Sequence, residues 1–206
     1  MELHNAPTNQ PIDAWKKFRD GDFSSLGALF EKHYLELFYY GNKIVALPEM
    51  VKDTIQDLFI DVWERRGKMI AVENIKAYLI ISLRRELMHR LEKARRESAK
   101  DELTSLQFSF SPEDFVISSE QNLEDTHLLS KSMEGLTVRQ REVIVLRFYH
   151  NLEFTEISQV LEMNVQSVRN LLFRALEKIR KDMSDQGVTG VENIEMFLWF
   201  VFGKKK

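Results

Sequence analysis

Gln166, Ser167, Arg169, Asn170 and Arg174 recur at three- and four-residue spacing within Val165–Lys181. Arg and Asn can each make two hydrogen bonds to a base edge, Arg to guanine and Asn to adenine, whereas Ser and Lys mostly hold phosphate oxygens. Val168, Leu171, Leu172, Ala175 and Ile179 alternate with them at helical spacing and form an apolar side. The stretch carries five Lys or Arg against Glu177 alone, a net of +4, with Lys178 toward its end. One buried face and one polar, cationic face are what a helix needs to enter a major groove.

Such a helix must be held by another. Upstream, Ile157, Val160 and Leu161 supply a short apolar stripe, and Asn164 is placed to cap the second helix. The pair therefore reads as a helix-turn-helix over Phe154–Lys181. Its turn usually holds Gly, since a positive φ is easiest without a Cβ. This chain has Glu162 there, at a strain of about 1 kcal/mol. A basic-faced helical hairpin with no DNA role fits the same residues. Just before it, Leu136, Val143, Ile144, Leu146 and Phe148 fall in register, with Thr137 at the N-cap position.

The chain of 206 residues has a net charge of −3, so the charge is informative only by location. Arg84–Lys100 holds seven Lys or Arg against three Glu, a net of +4, whereas Asp101–Asp125 holds seven acids and no base. Two basic stretches thus flank an acidic connector. Pro and Gly are sparse at four and eight, which argues against an all-β chain. Cysteine is absent, which excludes disulfides, thiolate metal sites and Cys nucleophiles. The first residues show no basic stretch followed by an apolar run of the signal-peptide kind, and no apolar segment is long enough to span a bilayer. The expectation is a cytoplasmic, all-α protein: two small helical domains joined by a flexible acidic linker, the C-terminal one a helix-turn-helix.

The upstream half reads as three helices. The first carries Leu26, Leu29, Phe30, Tyr34, Leu37 and Phe38 on one stripe, with Gly41 marking its end. The second starts at Pro48, buries Val51, Ile55, Leu58, Phe59 and Val62, turns Asp53, Gln56, Asp57 and Asp61 outward, and stops at Gly67. The third follows Asn74 as N-cap, carries Ile75, Tyr78, Leu79, Ser82 and Leu83, and then becomes strongly basic. The expected boundaries are an extension over 1–21, a helical unit over 22–97, the linker over 98–127, the helix-turn-helix unit over 128–183 and an aromatic tail over 184–206. Within the linker, Phe108, Phe110 and Phe115 exceed what a spacer needs. Either the linker lies along another surface or they cap the edges of the flanking domains.

The order of blocks is itself a signature. "DTIQDLFIDVWERR", then "NIKAYLIISLRRELMHRLEKARR", then "LTVRQREVIVLRFYHNLEFTEISQVLEMNVQSVRNLLFRALEKIRK" closely resembles the extracytoplasmic-function sigma factors, over roughly Asp22–Met183. These bacterial proteins give RNA polymerase its promoter specificity. The resemblance implies that the 22–97 unit is sigma region 2 and the 128–183 unit is region 4. It implies that Asp53, Gln56 and Asp57, supported by Phe59 and Trp63, bind the clamp helices of the polymerase β′ subunit. Arg84, Arg85, His89, Arg90 and Lys93 would engage the melted −10 element, where unpaired bases are caught by stacking and cations track phosphates. Arg85 and His89 stand where many members have Asn and Asp, a departure that bears on which −10 sequence is read. Gln166, Ser167, Arg169, Asn170 and Arg174 would read the −35 element, with Lys178 near phosphate. The resemblance further implies promoter DNA and an anti-sigma factor as partners, and an acidic linker threaded into the basic channel of the polymerase.

The tail "VENIEMFLWFVFGKKK" lies beyond that pattern, with Ile194, Phe197, Leu198, Val201 and Phe202 on a helical stripe. It fits packing on the C-terminal domain, a partner or self-association surface, or peripheral membrane contact aided by the lysines. A stand-alone helix-turn-helix regulator is the rival function, although it would not need a second basic helix and an acidic face upstream. Catalysis is not expected. The five histidines are scattered, with no H-E-x-x-H spacing and no Gly-rich phosphate loop. No cofactor, metal or small-molecule substrate is implied.

Overall fold

The computed structural model describes residues 10–68, 72, 74–97, 108, 120–188 and 194–203. Every regular element among them is helical. The chain divides into two compact units, one of residues 1–42 with 47–101 and one of residues 102–206 with 43–46. Most of the acidic linker, including Phe110 and Phe115, lies outside the described residues, whereas Phe108 is buried.

The first unit holds α1 (Gln10–Arg19), α2 (Phe23–Val45) except its last three residues, α3 (Pro48–Arg65) and α4 (Ile75–Glu97). The extension expected over 1–21 thus contains a helix, and α1 buries Trp15 and Phe18. Trp15 stacks on Phe18 at 5.1 Å between centroids, and Phe18 meets the edge of Trp63 on α3 at 5.7 Å. Gly21, at φ +95°, turns the chain into α2, whose start is capped by Asp22. The Asp22 carboxylate accepts from the hydroxyls of Ser25 at 2.6 Å and Ser24 at 2.8 Å. These bonds hold its pKa below the usual carboxylate range, Ser25 contributing most.

Gly41 does not end α2, which continues to Val45. A Cβ at position 41 would come within 2.5 Å of Val51 Cγ1 and 3.3 Å of Leu87 Cδ1. The glycine is there for close approach to α3 and α4. Pro48 opens α3, and the chain tightens after Arg65 into a 3₁₀ turn, Arg66–Lys68, around Gly67. Asn74 caps α4, its Oδ1 accepting from the Ala77 amide at 3.2 Å. The buried stripe of α4 is Ala77, Leu79, Ile80, Leu83, Arg84, Leu87 and Leu91, with Tyr78 and Ser82 half-buried beside it.

The second unit holds α5 (Glu120–Glu134), α6 (Val138–Ile144), α7 (Phe154–Leu161), α8 (Val165–Asp185) and α9 (Ile194–Gly203). The helical period expected from Leu128 begins earlier, at Glu120, inside the segment assigned to the linker. Thr137 caps α6 in a reciprocal box with Gln140, as S/T-x-x-Q sequences favour. A widened π turn over Val145–Tyr149 then buries Val145, Leu146 and Phe148. The tail forms α9 and packs on this turn and on α8, burying Ile194, Leu198 and Phe202. Of the readings open for the tail, packing within its own unit is the one this structure has. No helix among the described residues is long and apolar enough to cross a membrane.

Candidate nucleic-acid interface

α8 is fixed at its start by its own sequence. Glu162 ends α7 in the left-handed region, φ 55° and ψ 45°, the conformation expected for the turn. Asn164 then caps α8, its Oδ1 accepting from the Ser167 amide at 2.7 Å. Glu153 and Glu156 form a capping box at the start of α7, a feature absent from the sequence expectation because Glu is a rare N-cap. Val168, Leu172, Ala175, Leu176, Ile179 and Met183 bury the inner side of α8, and Leu171 is half-buried at its border.

The opposite side is open. Gln166, Arg169, Asn170, Arg174 and Lys178 are exposed and Ser167 is half-exposed. Gln166 Nε2 donates to Asn170 Oδ1 at 3.1 Å, so the two amides are aligned as neighbours before any base arrives. Arg169 lies over the Phe154 ring, 5.3 Å from its centroid. Lys178 donates to the Gly135 carbonyl, which ties this cation to the end of α5. Sequence reasoning missed Phe173. It is 64% exposed in the same row, one turn beyond Arg169 and Asn170. A large apolar side chain displayed among cations suits a thymine methyl group. Its helical position, three residues after Asn170 and outside the buried stripe, was the available signal.

In the first unit, α3 displays Asp53, Gln56 and Asp57, all exposed, while Phe59 is buried and Trp63 half-buried. Trp63 is held by Phe18, by Phe23 at 5.4 Å, and by Arg66, whose guanidinium lies 4.2 Å from its centroid. Ile60, half exposed, continues the Asp53–Gln56 row by one further turn. On α4, Arg85, His89 and Lys93 are exposed. Arg84 is not. It is 5% exposed because it falls four residues after Ile80 and three before Leu87, inside the buried stripe. Arg90 is half-buried and bound on both sides, to Asp57 Oδ2 at 2.7 Å and to Glu86 Oε1 at 2.8 Å. Those two hydrogen bonds, Asp57 first, raise its pKa further. The surfaces of α3 and α4 expected to meet different partners are therefore joined by one ion pair.

Comparison with known proteins falls on these same elements. Residues 126–179 match the family model described as sigma-70, region 4, which spans most of α5 through most of α8. The similarity extends beyond that match. The chain is 20% identical over 75% of its length to the ECF RNA polymerase sigma factor SigK of Mycobacterium sp. (strain KMS), covering 81% of that protein. It is 26% identical over 75% of its length to the RNA polymerase sigma factor SigV of Bacillus subtilis (strain 168), covering 86% of it. The chain thus carries a sigma-70 region 4 match and is similar over three quarters of its length to RNA polymerase sigma factors, the first of them of the extracytoplasmic-function class. Solved structures share this chain's fold: CnrH in complex with the cytosolic domain of CnrY, at TM-score 0.55, 18% identity, and 84% and 96% coverage of the two chains. RpoE of Bartonella quintana, in complex with the anti-sigma factor NepR, gives 0.54 at 16% identity, with 76% and 97% coverage. The region 4 match stops within α8, so α9 lies past it.

Proposed function

We propose that this chain acts as a sigma factor, binding core RNA polymerase and directing promoter-specific transcription initiation through two separate DNA contacts. The observation that carries this is α8 itself: a capped, locally cationic helix with Arg169, Asn170, Phe173 and Arg174 in one open row, inside a region 4 match. Residues 128–183 act as region 4 on the −35 duplex, Arg and Asn reading base edges while Lys178 and Ser167 serve the backbone. Residues 22–97 act as region 2. Asp53, Gln56 and Asp57 face the polymerase β′ clamp helices, with Phe59 and Trp63 behind them. Arg85, His89, Arg90 and Lys93 face the −10 element, and Arg84 supports the helix from within. Residues 98–127 connect the two.

The polymerase performs the bond-making chemistry, and this chain selects where it starts. It works in the cytoplasm, beside the chromosome. An anti-sigma factor is the third partner in this reading, by likeness to the complex of RpoE with the anti-sigma factor NepR. A stand-alone regulator would bind a palindrome as a dimer and leave the α3 row without a role. The test is co-purification with core polymerase, wild type against Asp53→Asn and Gln56→Ala, together with the salt dependence of promoter binding. Retention by wild type and loss in the variants supports the proposal. Tight palindrome binding with no polymerase retained overturns it.

A further inference from the structure

Phe154, the first residue of α7, is shared by two guanidiniums: Arg169 of the reading helix at 5.3 Å from the ring centroid and Arg147 of the π turn at 5.1 Å. The two cations differ in their other partners. Arg147 Nη1 donates to the Leu152 carbonyl at 2.9 Å and pairs with Glu153 Oε1 at 3.3 Å, and its guanidinium also lies 5.6 Å from the Trp199 centroid on α9. It is a neutralised, structural cation. Among the described residues no carboxylate pairs with Arg169, whose side chain is exposed.

We propose that Phe154 is a positioning residue for promoter reading, holding the Arg169 guanidinium in place for a base edge without consuming any of its donors. This rests on the reading of α8 as the −35 helix. A free Arg side chain has large rotamer freedom, and fixing it on a base is unfavourable by that amount. A contact with an aromatic ring uses the charge and leaves the five N–H groups available for a bidentate bond. An ion pair would occupy those donors instead. Phe154 is itself held, because α7 begins at that residue and Glu153 closes the capping box just before it. Arg147 secures the ring from the π turn, and Trp199 braces Arg147. The tail helix beyond the region 4 match therefore ends a chain of contacts that begins at a reading residue.

The experiment uses the full chain reconstituted with core polymerase and a pool of duplexes randomised at every position of the −35 window. Bound duplexes are sequenced for wild type, Arg169→Ala, Phe154→Leu and Phe154→Tyr, with thermal midpoints recorded for each. Arg169→Ala identifies the base pair it reads. Phe154→Leu is expected to lose preference several-fold at that same base pair and at no other, and Phe154→Tyr, which keeps the ring, to retain it. Preference kept by Phe154→Leu while Arg169→Ala loses it overturns the positioning role and leaves the −35 reading intact. A uniform weakening at all positions by Phe154→Leu, with a lowered midpoint, also overturns it, since that is what a merely structural residue does. If Arg169→Ala changes no preference, the assignment of Arg169 as a base reader fails first, and the positioning role with it.

Discussion

At the residue scale, short-range physics decides most of the helix-turn-helix. Asn164→Ala removes the bond to the Ser167 amide and should lower stability by about 1 kcal/mol, read from denaturant unfolding. Glu162→Gly relieves a non-Gly residue at φ 55° and should raise stability by up to about 1 kcal/mol. Arg174→Ala should weaken binding at one base pair by about 1–3 kcal/mol and leave the other positions alone. Asp22 supplies a pH dependence. Its folded pKa is depressed by Ser25 and Ser24, so its contribution is present above about 3.9 and lost as pH falls through the folded value. Asp22→Asn should remove that part of the acid-side loss in an unfolding titration. The caps Asn164, Thr137 and Asn74 and the turn at Glu162 were legible in the sequence, because each follows from a side chain acting on its own neighbours. The surroundings of Gly41 and Arg84 are not legible in this way. A glycine that lets helices touch looks the same as one that ends a helix until the neighbours Val51 and Leu87 are known. Charge groups Arg84 with Arg85, although its spacing from Ile80 and Leu87 puts it in the core stripe.

At the element scale, the apolar stripes of α3 and α8 were legible by their period, since each helix buries one face against its own unit. The two terminal helices were not. α1 carries just Trp15 and Phe18 as described buried residues, too few to show a period, and its place depends on a distant Trp63. α9 is apolar nearly all round, so periodicity could not separate internal packing from a partner surface. Its buried Ile194, Leu198 and Phe202 now give a magnitude. Deleting residues 192–206 should destabilise the second unit by about 5 kcal/mol, at roughly 1.5–3 kcal/mol per buried side chain. That approaches the whole stability of a small domain, so the truncated chain should lose cooperative unfolding of that unit in calorimetry. Normal unfolding with altered regulation would instead make α9 a partner surface. The Asp57–Arg90 pair is a second element-scale feature, invisible to spacing because its members are far apart in sequence. Substitution of Asp57 should therefore disturb −10 contacts as well as polymerase binding, whereas Asp53→Asn should affect polymerase binding alone.

At the scale of the whole molecule, a net charge of −3 is compatible with DNA binding because the charge is segregated. Val165–Lys181 is locally +4, and the acids concentrate in the connector and on the α3 row. Affinity for duplex DNA should fall steeply with salt, and removing one phosphate-facing cation such as Lys178 should reduce the log–log slope by about 1 without changing sequence preference. The central claim is that one chain couples polymerase to two promoter elements, and run-off transcription with purified core polymerase on genomic fragments tests it most directly. Core polymerase alone should give no discrete start sites. Added chain should give discrete starts, abolished by Asp53→Asn with Gln56→Ala and redirected or lost with Arg169→Ala. Transcripts unchanged by addition of the chain, or discrete starts that persist in the α3 variants, would contradict it.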